Sequence, residues 1–240
     1  RIHPRQTSPT QESMEEMAGM FSQMGAFSEA LGMDKVSIST LKGYYATEIA
    51  LMYAIGGGMF AAMTGACMVA KEEEGHTAEF LNTLPFGRNY IVCSKYGAMA
   101  VLTILYNILC IFWVLLGLLG AGENVFSKDF FLKEFVYFHS AQLLMHLEVG
   151  SVCFLMSAFG RKKQVGAALG LAMFLYGMDL MCRVVPDIEN LKYVTPYYFS
   201  NGADIFAQGS VNKGMMGIGI LVIAVSAVLA VFIYRNRDLW

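Results

Sequence analysis

Long apolar stretches separated by short polar segments dominate this chain. Residues 49–70 run for 22 positions without a charged side chain, residues 96–122 for 27 and residues 214–234 for 21. A helix needs about 20 apolar residues to cross roughly 30 Å of hydrocarbon, so each of these stretches is long enough to span a membrane. Two further stretches, 135–160 and 165–182, are apolar with a few polar interruptions. The pattern therefore predicts five membrane-spanning helices.

The fold class follows from how backbone polar groups are satisfied in lipid. Only helices and closed barrels pair all of their N–H and C=O groups there, and the apolar/polar alternation that marks barrel strands is absent from these stretches. Of 240 residues, 56% are hydrophobic and only 15% are charged, with a mean hydropathy of +0.49. Soluble domains carry about 25% charged residues. We predict an all-α membrane protein, a polytopic helical bundle.

The distribution of Lys and Arg predicts the orientation of the bundle. The segments on one side hold 8 cations in 34 residues: 71–95, 161–163 and 235–240. The segments on the other side hold 9 cations in 86 residues: 1–43, 123–134 and 183–213. Cytoplasmic loops are enriched in Lys and Arg, so we assign the first side, with the C-terminus, to the cytoplasm. Five helices would then leave the N-terminal segment outside without a signal-peptide pattern, and we expect a sixth helix before residue 1.

Two domains follow from this arrangement, an extracellular segment (1–43) and a transmembrane domain (44–240). The first contains an amphipathic helix pattern, because its apolar residues recur every three or four positions: Met14, Met17, Phe21, Met24, Phe27 and Leu31. The second contains an extracellular loop, 183–213, that is rich in Tyr. Within that loop, NGADIFAQ (201–208) predicts a short re-entrant or interfacial helix.

The polar segment 71–90 separates the first two apolar stretches and carries its own helix signals. Gly75 is placed to end the preceding helix, Thr77 to cap a new short helix with Glu79 near its positive end, and Pro85 to stop that helix. Three apolar residues of this short helix share one face: Phe80, Leu81 and Leu84. Such a face either lies on the membrane surface or docks in the groove of a partner protein.

The letters EEEGHTAEFLNTLPFGR, followed by Lys95, resemble the cytoplasmic loop of type-2 permease subunits of bacterial ATP-binding-cassette exporters. Two further segments agree with this resemblance: TPYYFSNGADIFAQG resembles the family's outer segment before the last helix, and YRNRD resembles its ending. The resemblance covers nearly the whole chain and lacks only the family's first helix. It implies a six-helix half-transporter that works as a homodimer or heterodimer in the bacterial plasma membrane.

The resemblance also implies partners and roles. Each permease half would rest on a cytoplasmic ATPase subunit, which would hold ATP and Mg, because this chain contains no phosphate-loop motif G-x-x-x-x-G-K-[ST]. The 71–90 loop would be the coupling helix, and the first and fourth visible spans would line the pathway. The expected ATPase-coupling residues are Glu73, Glu74, Thr77, Glu79, Phe80, Leu81, Leu84, Pro85 and Arg88. The expected cargo is hydrophobic or amphipathic: a drug, a lipid or an antimicrobial peptide.

Polar residues inside the predicted spans are default functional candidates, because they are costly in lipid. His139, Gln142 and His146 share one helix face, whereas Glu148 points away from it, which argues against a joint metal site. Interhelical hydrogen bonds, pathway lining and chemistry are three readings of this set. Asp179 belongs to the same set of possible pathway residues, and its position four residues before Arg183 predicts an ion pair at the outer end of the fourth span.

Small residues recur along the first span: Gly57, Gly58, Ala61, Ala62, Gly65 and Ala66. Such spacing permits close helix approach and indicates either a dimer seam or packing within the bundle.

Two other functions compete with transport. One is an intramembrane enzyme, a protease or lipid-processing protein using His139, His146 and Glu148, although the metal-site pattern H-E-x-x-H is absent. The other is a non-catalytic immunity or sensor subunit built on the permease frame. A net charge of −2 without a basic stripe gives no indication of nucleic-acid binding.

Overall fold

The protein is seen here as a computed structural model, which describes residues 35–77, 85–120 and 130–236 and the single positions 25, 28, 32, 80 and 83. Within these residues the chain is helical and contains no strand. Among these residues, five helices are long and apolar enough to cross a membrane: α1 (Leu41–Met68), α3 (Arg88–Gly120), α4 (Leu132–Phe159), α5 (Val165–Val184) and α7 (Lys213–Arg235). The predicted fold class, a polytopic helical bundle with five visible spans, is confirmed. The predicted amphipathic helix around Met14–Leu31 lies outside the described residues.

Shorter elements connect the long helices at two ends of the bundle. At one end, the charged-loop end, α2 (Ala70–Glu74) follows α1, and Lys163 and Arg235 lie near the ends of α4 and α7. At the other, the aromatic end, a 3-10 helix (Pro186–Tyr193) and α6 (Gly202–Gln208) connect α5 to α7. The five long helices thus run alternately between two chemically different ends.

Helices α1 and α4 form the centre of the bundle and pack along each other. Glycines on α1 make this approach possible, because a Cβ at Gly65 would lie 2.3 Å from the carbonyl oxygen of Gly150, and a Cβ at Gly57 would lie 2.2 Å from the His146 ring. At Gly58 a Cβ would meet the Tyr197 hydroxyl at 2.1 Å. The small-residue pattern on this helix therefore serves packing within the bundle, the second of its two predicted roles.

Helix α6 occupies the predicted NGADIFAQ segment. The Asn201 side chain caps it by accepting a hydrogen bond from the Asp204 N–H at 3.1 Å. Ile205 and Phe206 are buried, and the Phe206 ring lies 5.5 Å from that of Tyr45 on α1. The helix therefore packs into the bundle core at the aromatic end.

The outer helices α3, α5 and α7 bury only 17%, 22% and 17% of the residues in their most apolar stretches, and several large apolar side chains on them are exposed. Examples are Trp113, Phe174 and Phe232. An exposed apolar surface of this extent is typical of a face that contacts lipid or other membrane helices. The bundle thus has a polar-containing interior formed by α1 and α4 and a lipid-compatible exterior.

Candidate functional site

The 71–90 segment begins where α2 ends in a Schellman motif. The N–H of Thr77 donates to the carbonyl of Glu72 at 2.8 Å, and the N–H of His76 donates to the carbonyl of Glu73 at 3.1 Å. His76 is the left-handed residue of the motif, with φ at +55°, whereas Gly75 has φ at −83°. The helix ends where the sequence predicts, but the left-handed turn falls one residue later than Gly75, because the bonding pattern fixes which residue must reverse the chain.

Thr77 stabilises the preceding helix. Its hydroxyl donates to the Glu72 carbonyl at 3.3 Å, which adds a second donor to the carbonyl already bound by its own N–H. The helix that Thr77 was predicted to cap falls partly outside the described residues. Three predicted coupling residues also lie outside them: Glu79, Leu81 and Leu84.

Polar contacts tie the 71–90 segment to three other parts of the charged-loop end. Glu74 accepts a hydrogen bond from the Lys163 backbone N–H at 3.1 Å, and its carboxylate lies 3.8 Å from the Lys163 ammonium. Arg88 donates to the Arg235 carbonyl at 3.3 Å. Lys95 of α3 pairs with Glu72. The segment is therefore held against the α4–α5 connection, the end of α7 and the start of α3.

Aromatic side chains stand exposed beside these charges. Phe80 is 71% exposed, and Phe86 stacks on Tyr90 with ring centroids 5.1 Å apart. Pro85 and Gly87, on either side of Phe86, are exposed as well. An apolar edge within a charged surface is the arrangement that a protein-docking site uses, and Phe80 belongs to the face that the sequence predicts.

The polar residues on one face of α4 bind three other elements. His139 Nε2 lies 2.7 Å from the Tyr45 hydroxyl of α1. Gln142 donates to the Ser200 carbonyl at 3.0 Å, and His146 Nδ1 lies 3.3 Å from Asn107 Oδ1 of α3. All three side chains are buried. Of the three predicted readings, interhelical hydrogen bonding is the one their contacts support.

Glu148 faces a different helix from these residues. A Cβ at Gly219 of α7 would lie 2.7 Å from Glu148 Oε2, and this buried oxygen has no hydrogen-bond partner in the part of the chain that the structure describes. The rings of His139 and His146 both lie against that of Tyr53 on α1, with centroids 5.1 and 5.3 Å away, whereas Glu148 faces α7 and does not join them. Within the described ranges, no three His, Cys, Asp or Glu side chains are arranged to hold a metal ion.

The predicted Asp179–Arg183 ion pair is confirmed and belongs to a larger network. Arg183 donates to both Asp179 oxygens, at 3.0 to 3.2 Å, and to Asp204 at 2.5 Å. Lys35 also pairs with Asp204, at 2.7 Å, and the Arg183 guanidinium lies 4.5 Å from the centroid of the Tyr198 ring. The network joins the end of α5, the start of α6 and the residues before α1.

The pKa of Asp204, which lies outside the membrane-spanning helices, reflects this network. Burial raises the pKa of its carboxyl, but Arg183 and Lys35 lower it more, so that the pKa lies below its usual value. The Asp204 carboxylate is therefore ionised, and it lies between two cations, Arg183 and Lys35.

Sequence reasoning missed four residues that complete these sites. Asp204 and Lys35 join the arginine network from distant positions in the chain, and Asn107 binds the central histidine. Ser157 of α4 is the fourth, and its hydroxyl accepts hydrogen bonds from the backbone at the junction of α1 and α2. An Asn inside an apolar span was the one available signal, because an isolated amide in lipid requires a partner.

Comparison with known protein families agrees with a membrane bundle of several spans. Residues 5–239 match the family model described as ABC-2 family transporter protein. No curated protein matches the chain. Because the match extends over nearly all of the sequence, and because the described helices form a multi-pass membrane bundle, the chain belongs to the ABC-2 family of transporter proteins, as a permease subunit.

Proposed function

We propose that this chain is the permease half of an ATP-binding-cassette exporter, driven from the cytoplasm through its 71–90 segment. A separate ATPase subunit binds ATP and Mg and docks on the charged-loop end. The exporter contains a second permease subunit, either a copy of this chain or a related one. It operates in the bacterial plasma membrane with the C-terminus in the cytoplasm.

The observation that carries the proposal is the exposed apolar edge beside the tethered charges at the charged-loop end. Phe80 and Phe86 project there from a segment joined to α1 through α2 and to α3 through Arg88. A partner that binds this edge would be connected to two spanning helices at once. Five further residues of the same segment would set the register of the docked partner: Glu73, Glu74, Thr77, Pro85 and Arg88.

The class of cargo is inferred from the apolar side chains on the helices predicted to line the pathway. Helices α1 and α5, which are predicted to line the pathway, pack against each other, and α5 leaves Met173, Phe174 and Met181 exposed. Flexible Met side chains adapt to irregular apolar shapes. We therefore propose a hydrophobic or amphipathic cargo, a drug, lipid or antimicrobial peptide, as the substrate class.

Docking is tested with a pair of matched Phe→Ala variants. The tagged permease is purified from its native membranes, and the co-purified ATPase subunit is identified by its phosphate-loop peptides and by ATP hydrolysis. Phe80→Ala should reduce the recovered ATPase about tenfold, because truncating a central aromatic anchor costs about 1–2 kcal/mol of binding. Phe112→Ala, which truncates an exposed aromatic of the outer helix α3 (53% exposed), is the control and should leave recovery unchanged. Equal recovery in both variants would contradict docking at Phe80.

Direction is tested in inverted membrane vesicles, which expose the cytoplasmic face. An exporter should accumulate a fluorescent amphipathic dye inside such vesicles only when ATP is added outside. ATP-dependent loss of preloaded dye would instead indicate import. ATPase binding without movement of any dye, lipid or peptide probe would favour the immunity or sensor role. The enzyme alternative has no support in the geometry, because His139, His146 and Glu148 do not converge.

A further inference from the structure

The first spanning helix is interrupted just before the 71–90 segment. α1 ends at Met68 and α2 begins at Ala70. The hydroxyl oxygen of Ser157 on α4 accepts hydrogen bonds from the N–H groups of Val69, at 3.1 Å, and Ala70, at 3.0 Å. In a continuous helix these donors would bind carbonyls four residues earlier. A side chain inserted into the hydrogen-bond ladder is a recognised cause of a helix break.

The carbonyl side of the same break is held by a third helix. The Lys95 ammonium of α3 donates to the Met68 carbonyl at 2.9 Å and also pairs with the Glu72 carboxylate. One cation therefore binds the last residue of α1 and a residue of α2. Its side chain is only 12% exposed, so water has little access to replace these bonds.

Because the atoms at the break are buried, the backbone N–H groups there cannot bind water in place of the Ser157 hydroxyl. Ser157, Val69 and Ala70 are at most 1% exposed, and a buried N–H without an acceptor carries a substantial free-energy cost. The angle between α1 and α2 is therefore coupled to the position of the Ser157 hydroxyl. A rotation of about 20° at the break would move the end of the five-residue α2 by about 3 Å.

We propose that Ser157 and Lys95 are positioning residues that fix the angle at the α1–α2 break and so set how the 71–90 segment meets its partner. Movement imposed on the segment then acts on α1, α3 and α4 together, since all three contribute atoms to the break. The role in transport rests on the proposed function. The role in setting the angle does not, and it is measurable on the permease alone.

The angle is tested by a distance between spin labels at Lys71→Cys on α2 and Lys162→Cys beyond the end of α4. Both positions are exposed, and the accessible native cysteines (Cys67, Cys93 and Cys110) are first replaced by Ser. Ser157→Ala should shift the mean distance by about 3 Å or broaden its distribution, because the two amides must find other acceptors. Ser140→Ala is the matched control on α4, since its hydroxyl donates to the Val136 carbonyl within the same helix, and should change nothing.

A second pair of variants keeps the test independent of how Ser157→Ala folds. Lys95→Met should produce the same kind of shift, and Lys95→Arg, which retains a charged donor, should restore most of the original distance. Unchanged distances in both Ser157→Ala and Lys95→Met would overturn the proposal.

The link to transport is measured as dye moved per ATP hydrolysed in the complete complex. Ser157→Ala should retain the ATPase subunit but lower this ratio, whereas a ratio equal to that of Ser140→Ala would overturn the link. If the unaltered chain recovers no ATPase, the proposed function fails, and the label distances still decide whether Ser157 and Lys95 set the angle.

Discussion

The two ends of the bundle are held together by different kinds of interaction. At the aromatic end, Arg183 and Asp179 are 5% and 2% exposed in their side chains and form a bidentate ion pair. The Tyr45 ring there lies within 6.0 Å of four phenylalanine rings: Phe131, Phe135, Phe138 and Phe206. At the charged-loop end, the Glu74–Lys163 pair is 43% exposed on both sides. Breaking an exposed pair costs little, whereas removing one partner of a buried pair leaves an uncompensated charge and costs several kcal/mol.

This difference indicates that the aromatic end is more rigid than the charged-loop end. An end fixed by buried charges and aromatic packing opens only at high cost. At the charged-loop end, the exposed contact between the 71–90 segment and the α4–α5 connection can change at low cost, whereas the buried Ser157 and Lys95 contacts hold the break itself. This asymmetry suits the proposed function, in which an ATPase subunit would act on the charged-loop end while the aromatic end stays in place. The following variants test the asymmetry.

Removing the guanidinium at the aromatic end should have the largest effect. Arg183→Met leaves Asp179 buried without its cation, and breaking a buried pair costs about 3–5 kcal/mol. We expect a large fall in the midpoint of thermal unfolding in lipid nanodiscs. Lys192→Met, which removes the cation of the exposed Glu189 pair, is the control and should change the midpoint little. Equal effects of the two variants would mean that the buried Arg183 pair holds the aromatic end no more firmly than the Glu189 pair of the same end does.

A wedge between the central helices should weaken the bundle to an intermediate degree. Gly65→Val places side-chain atoms against the Gly150 carbonyl, where even a Cβ would lie 2.3 Å from the oxygen, and overpacking costs about 1–3 kcal/mol. Hydrogen exchange should accelerate in α2 and the nearby halves of α1 and α4 while α6 stays protected. Gly117→Val on α3, where no heavy atom lies within 4 Å of a Cβ, should leave exchange unchanged. Uniform acceleration at both ends would show that they are not independent.

Acid should act on the aromatic end through Asp204. Because its pKa in the folded protein is below the ordinary value of 3.8, its contribution to stability is complete above about pH 5 and is lost as pH falls through the folded-state pKa. Asp204→Asn should cost about 1.5–3 kcal/mol at pH 7, the range for a charged hydrogen bond. The variant should also show a smaller further loss than the unaltered protein below pH 4. Thermal unfolding at stepped pH measures both, and parallel curves would exclude Asp204 as the acid-sensitive group.

The sequence predicts the spanning helices and the contacts within one helix better than the contacts between distant parts of the chain. Five spans are visible because lipid demands long uncharged stretches, and the Asp179–Arg183 pair is visible because i,i+4 residues meet on any helix. Asp204 and Lys35 lie 21 and 148 residues from Arg183 along the chain, so only tertiary packing brings them to it. Ser157 resembles any small residue in an apolar helix until the backbone donors opposite it are known.

The end of α2 shows the same limit at the scale of one residue. Glycine is the preferred residue for a left-handed helix end, so composition alone selects Gly75. Which residue reverses the chain depends on hydrogen bonds that close only in three dimensions, and they select His76. The two positions differ by only one residue, but the difference decides which substitution would stabilise the charged-loop end.

The smallest predicted effect therefore comes from exchanging residues at this turn. His76→Gly removes the strain of a left-handed β-carbon-bearing residue but also adds freedom to the unfolded chain, so the net gain should be about 0.5 kcal/mol. Amide exchange at residues 71–77 should slow about twofold. Gly75→Ala is the matched variant and should not slow exchange, because its φ of −83° already suits any residue and a Cβ would lie 3.0 Å from the Lys71 carbonyl oxygen and 3.8 Å from the Thr77 hydroxyl. Fast exchange in Gly75→Ala with no change in His76→Gly would mean that residue 75 carries the left-handed turn. A slowed exchange confined to these amides would show that the charged-loop end can be stiffened locally, while the Arg183 network continues to fix the opposite end.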